Sequence, residues 1–102
     1  AKKVRDQAMG VASPLQLYSY ARGLQAQKRS DEAMAIFKTV AAKAPETVPG
    51  HLASARLKSA AGDFDGALAE AKAAEAAATI DAQKQNIRIL IGRLQSKQDI
   101  NK

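Results

Sequence analysis

The apolar positions of this chain fall into short helical stripes separated by polar or proline-containing breaks. Ser13-Pro14-Leu15-Gln16 has the form of a capping box with proline at the first helical position, which predicts a helix start near residue 14. Leu17, Tyr20, Ala21 and Leu24 form the stripe of that helix. Polar residues 27–32 make a turn in which Ser30 is placed to cap a second helix, with Asp31 and Glu32 suited to its positive N-terminal end. Ala33, Ile36, Phe37, Val40 and Ala44 then follow the i, i+3, i+4, i+7, i+11 series of an amphipathic helix running to about Lys43. Pro45, Pro49 and Gly50 break it. A second pair of helices is predicted over roughly 49–61 and 64–78, hinged where Gly62 ends one helix and Asp63 caps the next. A last helix from about Asp81 shows Ile87, Leu90, Ile91 and Leu94 on one face, and residues 2–12 are expected to form a short helix over the opposite end of the stack.

Sliding the chain along itself by 34 residues brings Ala21 onto Ala55, Ala33 onto Ala67 and Ala44 onto Ala78. Alanine matches carry little weight in a chain with 23 alanines, but Arg22 also falls on Arg56, Asp31 on Asp65 and Lys38 on Lys72. A period of that length, with two helices in each unit and small residues where the helices meet, is the signature of stacked helical hairpins. The alternative is a non-repeating helical bundle of similar composition. The single domain divides into an N-terminal capping helix (1–13), a first hairpin (14–45), a second hairpin (48–79) and a C-terminal capping helix (81–98).

Ala21, Lys28-Arg29, Ala33, Phe37 and Pro45 in the first unit, with Ala55, Gly62-Asp63-Phe64 and Ala67 in the second, resemble the tetratricopeptide repeat family. Ser54, Lys58 and Ala71 stand where that family prefers bulk, and Thr79 where the first unit has Pro45, so looser packing is expected in the second unit. The resemblance implies an all-α fold of antiparallel helical hairpins stacked as a short right-handed solenoid of about 5–6 helices. The run AQKQNIRILIGRLQSKQDIN, with YARGL and SARLKSAAGDFDGAL before it, is also similar to the tail of a bacterial family in which an exported β-rich domain precedes tetratricopeptide-like helices. That similarity, and a first residue other than Met, imply a C-terminal module of a longer protein working in the periplasm or outside the cell.

Composition narrows the chemistry. The chain of 102 residues carries 16 Lys and Arg against 10 Asp and Glu, a net charge of +6 that favours acidic partners. Without cysteine there is no disulfide scaffold, thiolate nucleophile or cysteine-ligated metal. No apolar run approaches the roughly 18–20 residues that span a bilayer. His51 is the single histidine, so neither a zinc shell nor a triad is expected around it, and it reads as a polar residue near a helix start. Asp63 and Asp65 lack the further oxygen ligands of a calcium loop and read as helix-capping groups. The glycines form no phosphate loop. Lys2, Lys3 and Arg5 read as a solvated basic end. No cofactor is expected, and an enzyme is the least supported class.

Arg22 and Arg56 occupy the same place in the repeat, on helices that in the family face the concave groove. Tyr18 and Leu52 lie one turn before them, and Gln25, Ser59, Asn86 and Arg93 are the next residues expected on that surface. Guanidinium groups in such a groove suit an acidic peptide or a chain terminus. In the competing reading, both arginines pair with acids of neighbouring helices and fix the packing. The carboxylate-clamp members of the family use Lys and Asn where this chain has Tyr18, Arg22, Leu52 and Arg56, which argues against a chaperone C-terminus as ligand. The leading function is therefore a non-enzymatic module binding a peptide, or the parent protein's own N-terminal domain, in its groove. Its rivals are a spacer or lid for that domain and weak nucleic-acid binding. The last is disfavoured by four aromatics and by basic residues spread over every helix.

Overall fold

The computed structural model describes residues 13–101. The N-terminal helix expected over 2–12 and the basic cluster Lys2, Lys3 and Arg5 lie outside the described residues. Within them the protein is all-α, with five helices and no strand: α1 (Pro14–Ala26), α2 (Ser30–Lys43), α3 (Val48–Ala60), α4 (Phe64–Ala77) and α5 (Asp81–Gln95). Each helix packs on the next through a short connection, and α1 also touches α3. Successive helices are therefore antiparallel neighbours. Extents of 41 × 28 × 20 Å describe a row of hairpins.

The period is visible in the fold. First helices begin at Pro14 and Val48 and second helices at Ser30 and Phe64, so both kinds of start recur after 34 residues. Their ends recur too. Lys28, Gly62 and Lys97 adopt positive φ of 63°, 84° and 58° just after α1, α3 and α5. Beyond each of them, the next N–H reaches back to a carbonyl in the last turn: Arg29 to Leu24 (2.8 Å), Asp63 to Lys58 (2.9 Å) and Gln98 to Arg93 (2.9 Å). This is one left-handed C-terminal motif used three times, with glycine at only one of the three places. By this mark α5 is a third first-helix.

Helix starts are set individually. Ser13 accepts from the Gln16 N–H while the Gln16 side chain accepts from the Ser13 N–H, completing the expected capping box. Thr47 caps α3 by accepting from the Gly50 N–H, and Asp63 caps α4 by accepting from the Gly66 N–H. At α2 the expectation fails: Ser30 is the first helical residue and makes no side-chain cap. Arg29 precedes it and pairs with Glu32 at 2.6 Å, which leaves Asp31 and Glu32 to answer the helix dipole. Gly50 sits against the preceding turn, where a Cβ would lie 1.7 Å from the Ala44 carbonyl oxygen.

Two apolar clusters hold the row together. In the first, Phe37 and Ile36 of α2 meet Leu17, Tyr18 and Leu24 of α1, with Leu52 of α3 and Ile87 of α5. The Tyr18 and Phe37 rings lie 5.4 Å apart at a tilted angle. The second joins Ala55, Ala67 and Ala71 to Leu94 and Ile100. Alanine at these contacts lets α3 and α4 approach closely, while each large buried side chain such as Phe37 or Leu94 contributes about 1.5–3 kcal/mol. Two expectations are corrected. Tyr20 is 54 % exposed, and Tyr18, at 6 %, fills the core in its place. The last helix stops at Gln95 rather than near 98, because Lys97 turns the chain out of it.

Candidate functional site

α1, α3 and α5 line a half-open cavity of about 460 Å³. Arg22 and Gln25 come from α1, Arg56 from α3, and Asn86, Leu90 and Arg93 from α5. Ile100 and Asn101 close one end. A smaller hollow of about 180 Å³ continues past Arg22, Asn86 and Leu90 toward Leu15, Tyr18, Val48 and Leu52. The two hollows form one groove, cationic at one end and apolar at the other. No carboxylate lines either part among the described residues.

The repeat register of Arg22 and Arg56 hides two different roles. Arg56 belongs to the middle one of the three first helices and is 3 % exposed. Its Nε donates to the Tyr18 hydroxyl at 2.8 Å, and one terminal nitrogen donates to Gln25 Oε1 at 3.3 Å and the Ile100 carbonyl at 2.9 Å. The guanidinium also lies over the Tyr18 and Phe37 rings, 5.6 and 5.8 Å from their centroids. Burying this charge is compensated by neutral acceptors and ring faces rather than by an acid, so the ion-pair reading of Arg56 is not the one realised. Arg56 lines the larger cavity but, at 3 % exposed, forms part of its wall rather than projecting into it. Arg22 lies on the outer helix α1, is exposed, and has neither a hydrogen bond nor an ion pair among the described residues.

The other expected site residues separate in the same way. Asn86 is exposed on the groove wall and Gln25 and Arg93 are half-buried in it. Tyr18 and Leu52 are core residues that surface only at the floor of the smaller hollow. Ser59 is 2 % exposed and lines neither hollow. It donates instead to Asp99 Oδ1 at 2.9 Å and accepts the Ile100 N–H at 3.0 Å. The strap Asp99-Ile100-Asn101 is the part of the site that periodicity does not reveal, since three residues beyond a helix end carry no pattern. Its sequence trace is an Asp-x-Asn turn, in which the Asn101 N–H donates to Asp99 Oδ1 at 3.0 Å.

His51 lies elsewhere, half-buried on α3 with Nδ1 3.7 Å from Glu70 Oε1 and outside hydrogen-bond reach. No group of three or more His, Asp or Glu side chains is placed to hold a metal among the described residues. No described helix is long and apolar enough to cross a membrane. Comparison with protein-family models, curated proteins and solved structures gives no match.

Proposed function

We propose that the chain is a protein-interaction module of the tetratricopeptide type that holds an acidic peptide segment, from a partner or from a neighbouring domain of its own protein, in the groove between α1, α3 and α5. The observation that carries the reading is the charge of the larger cavity: Arg22, exposed and without a partner among the described residues, lines it together with Arg56, and no carboxylate among the described residues lines it. Such a site offers an acidic side chain one free guanidinium for bidentate pairing, that of Arg22, with the positive charge of Arg56 behind it. The apolar continuation past Leu15, Leu52 and Leu90 suits an aliphatic residue a few positions away. The described groups supply no nucleophile and base set in this groove, so binding is the chemistry proposed for it.

The test is a fluorescence-anisotropy titration with a labelled peptide of alternating Asp and Leu, its Lys and Leu counterpart, and a random single-stranded oligonucleotide. The expected order is the acidic peptide first, by about tenfold, with Arg22→Glu removing the preference. Equal binding of the two peptides would sink the proposal, and tight, steeply salt-dependent binding of the oligonucleotide would replace it with nucleic-acid recognition.

A further inference from the structure

The strap that closes the groove is held as a bound peptide is held. Both main-chain polar groups of Ile100 are taken up by side chains of α3: its N–H donates to Ser59 Oγ and its carbonyl accepts from Arg56. Its side chain, 3 % exposed, sits in the apolar cluster with Ala67, Ala71 and Leu94. Asn101 is read at both ends of its amide, with Oδ1 accepting from Gln25 Nε2 at 2.7 Å and Nδ2 donating to the Arg56 carbonyl at 2.8 Å. The Asp99 carboxylate accepts from Ser59 Oγ and braces the turn by accepting from Asn101 as well. The hydrogen bonds to Ile100 and Asn101 from outside the strap come from α1 and α3, far away in sequence, while Ala67 and Ala71 of α4 and Leu94 of α5 hold the Ile100 side chain and Arg93 of α5 donates to the Asp99 carbonyl at 3.3 Å. The strap joins the body through Lys97, a non-glycine residue in the left-handed region.

We infer that Gln25, Arg56 and Ser59 form a subsite for a peptide segment of the type Asp, large aliphatic, Asn, which the chain fills with its own residues 99–101 and which a partner segment of the same type fills once the strap swings out. The inference rests on the groove being a peptide site and names the motif read at its closed end. Each position has a chemical reason. An acid in place of Asn101 would turn a carboxylate oxygen toward the Arg56 carbonyl, and a polar residue in place of Ile100 would enter an apolar cluster. Because Ile100 and Asn101 form the end wall of the cavity, a partner segment seated there runs directly into the space beside Arg22. The tethered strap has a local concentration of order millimolar, so it masks the subsite against free ligand.

The probe is an end-blocked, labelled hexapeptide of residues 96–101, Ser-Lys-Gln-Asp-Ile-Asn, titrated against the full chain and its Ile100→Ala variant. The variant is expected to bind it about tenfold more tightly than the native chain, and a hexapeptide with Asn101→Asp to lose that gain. Where Ile100→Ala does not fold, Asn101→Ala, which removes hydrogen bonds from a half-buried residue, takes its place. A folded variant that binds no better than the native chain overturns the inference. Hydrogen exchange on the unmodified chain gives a second reading: the Ile100 amide is expected to exchange by local opening, at least about tenfold faster than amides in the middle of α3. Exchange only through global unfolding makes the strap part of the core and overturns the inference too. If the hexapeptide fails while the acidic peptide still binds through Arg22, the motif is wrong and the groove stands; if both fail, the groove reading falls with it.

Discussion

Gly50→Ala and Gly23→Ala are the same chemical change on two helices, and the structure gives them opposite signs. At Gly50 the new Cβ would lie 1.7 Å from the Ala44 carbonyl oxygen, against 3.4 Å for the near edge of ordinary contact, so that oxygen must retreat by about 1.7 Å. The retreat takes it away from the Thr47 N–H at 3.3 Å and the Thr47 hydroxyl at 2.8 Å. Overpacking of this kind destabilises by about 1–3 kcal/mol. The two weakened hydrogen bonds add about 1 kcal/mol each. Better helix propensity returns up to about 1 kcal/mol. The net loss is about 2–4 kcal/mol, or a fall in Tm of roughly 10–20 °C for a domain of this size. Gly23 is exposed on α1 and a Cβ there meets nothing within 4 Å, so its replacement is expected to stabilise by about 0.5–1 kcal/mol. Urea denaturation followed by circular dichroism at 222 nm measures both. A Gly50→Ala chain as stable as the native one would refute the close packing of α3 on the preceding turn.

Lys28→Gly and Lys97→Gly relieve left-handed strain at two helix ends and are each expected to raise stability by about 0.5–1 kcal/mol in the same urea assay, whereas Gly62→Ala lowers it by about 1–2 kcal/mol. Ser13→Ala breaks the capping box of α1 and should cost about 1 kcal/mol, with the loss concentrated in hydrogen exchange of the first turn. Phe37→Ala empties the largest fully buried position and is expected to cost about 3–5 kcal/mol in thermal or urea melts. Arg22→Glu, by contrast, changes an exposed residue with no partner among the described residues and should leave Tm within a few degrees while abolishing preference for the acidic peptide.

What could be read directly from the chain was whatever local chemistry decides. Ser13, Gly62 and Asp63 announce their turns because capping needs those residue types at those spacings. Tyr18 and Tyr20 show where this stops. Stepping about 100° per residue, Leu17, Ala21 and Leu24 define a narrow stripe, and the two tyrosines flank it on opposite sides. Only the neighbouring helices decide which flank is covered, and Phe37 and Arg56 lie on the side of Tyr18. The arginines pose the same problem on a larger scale. Arg22 and Arg56 are one position in the repeat, but the middle helix of three is enclosed and the outer one is not, so identical register gives one buried and one exposed guanidinium. Gln25 and Ser59, also register partners, were both expected on the groove surface, yet one lines it and the other anchors the strap from beneath. The strap itself depends on contacts spanning as many as 76 residues, which no local pattern encodes.

The left-handed residues at 28, 62 and 97 also act as splice points. Between the first two, every helix start and stop keeps its phase, so the segment from Ser30 to Asp63 begins and ends on equivalent backbone. A second copy of that segment inserted before Phe64 would enter and leave through the same turn geometry and present its own arginine beside Arg56. The protein could thus lengthen its groove by a whole unit without redesigning a single junction, and the affinity for a longer acidic partner could grow by duplication rather than by refining the contacts already present.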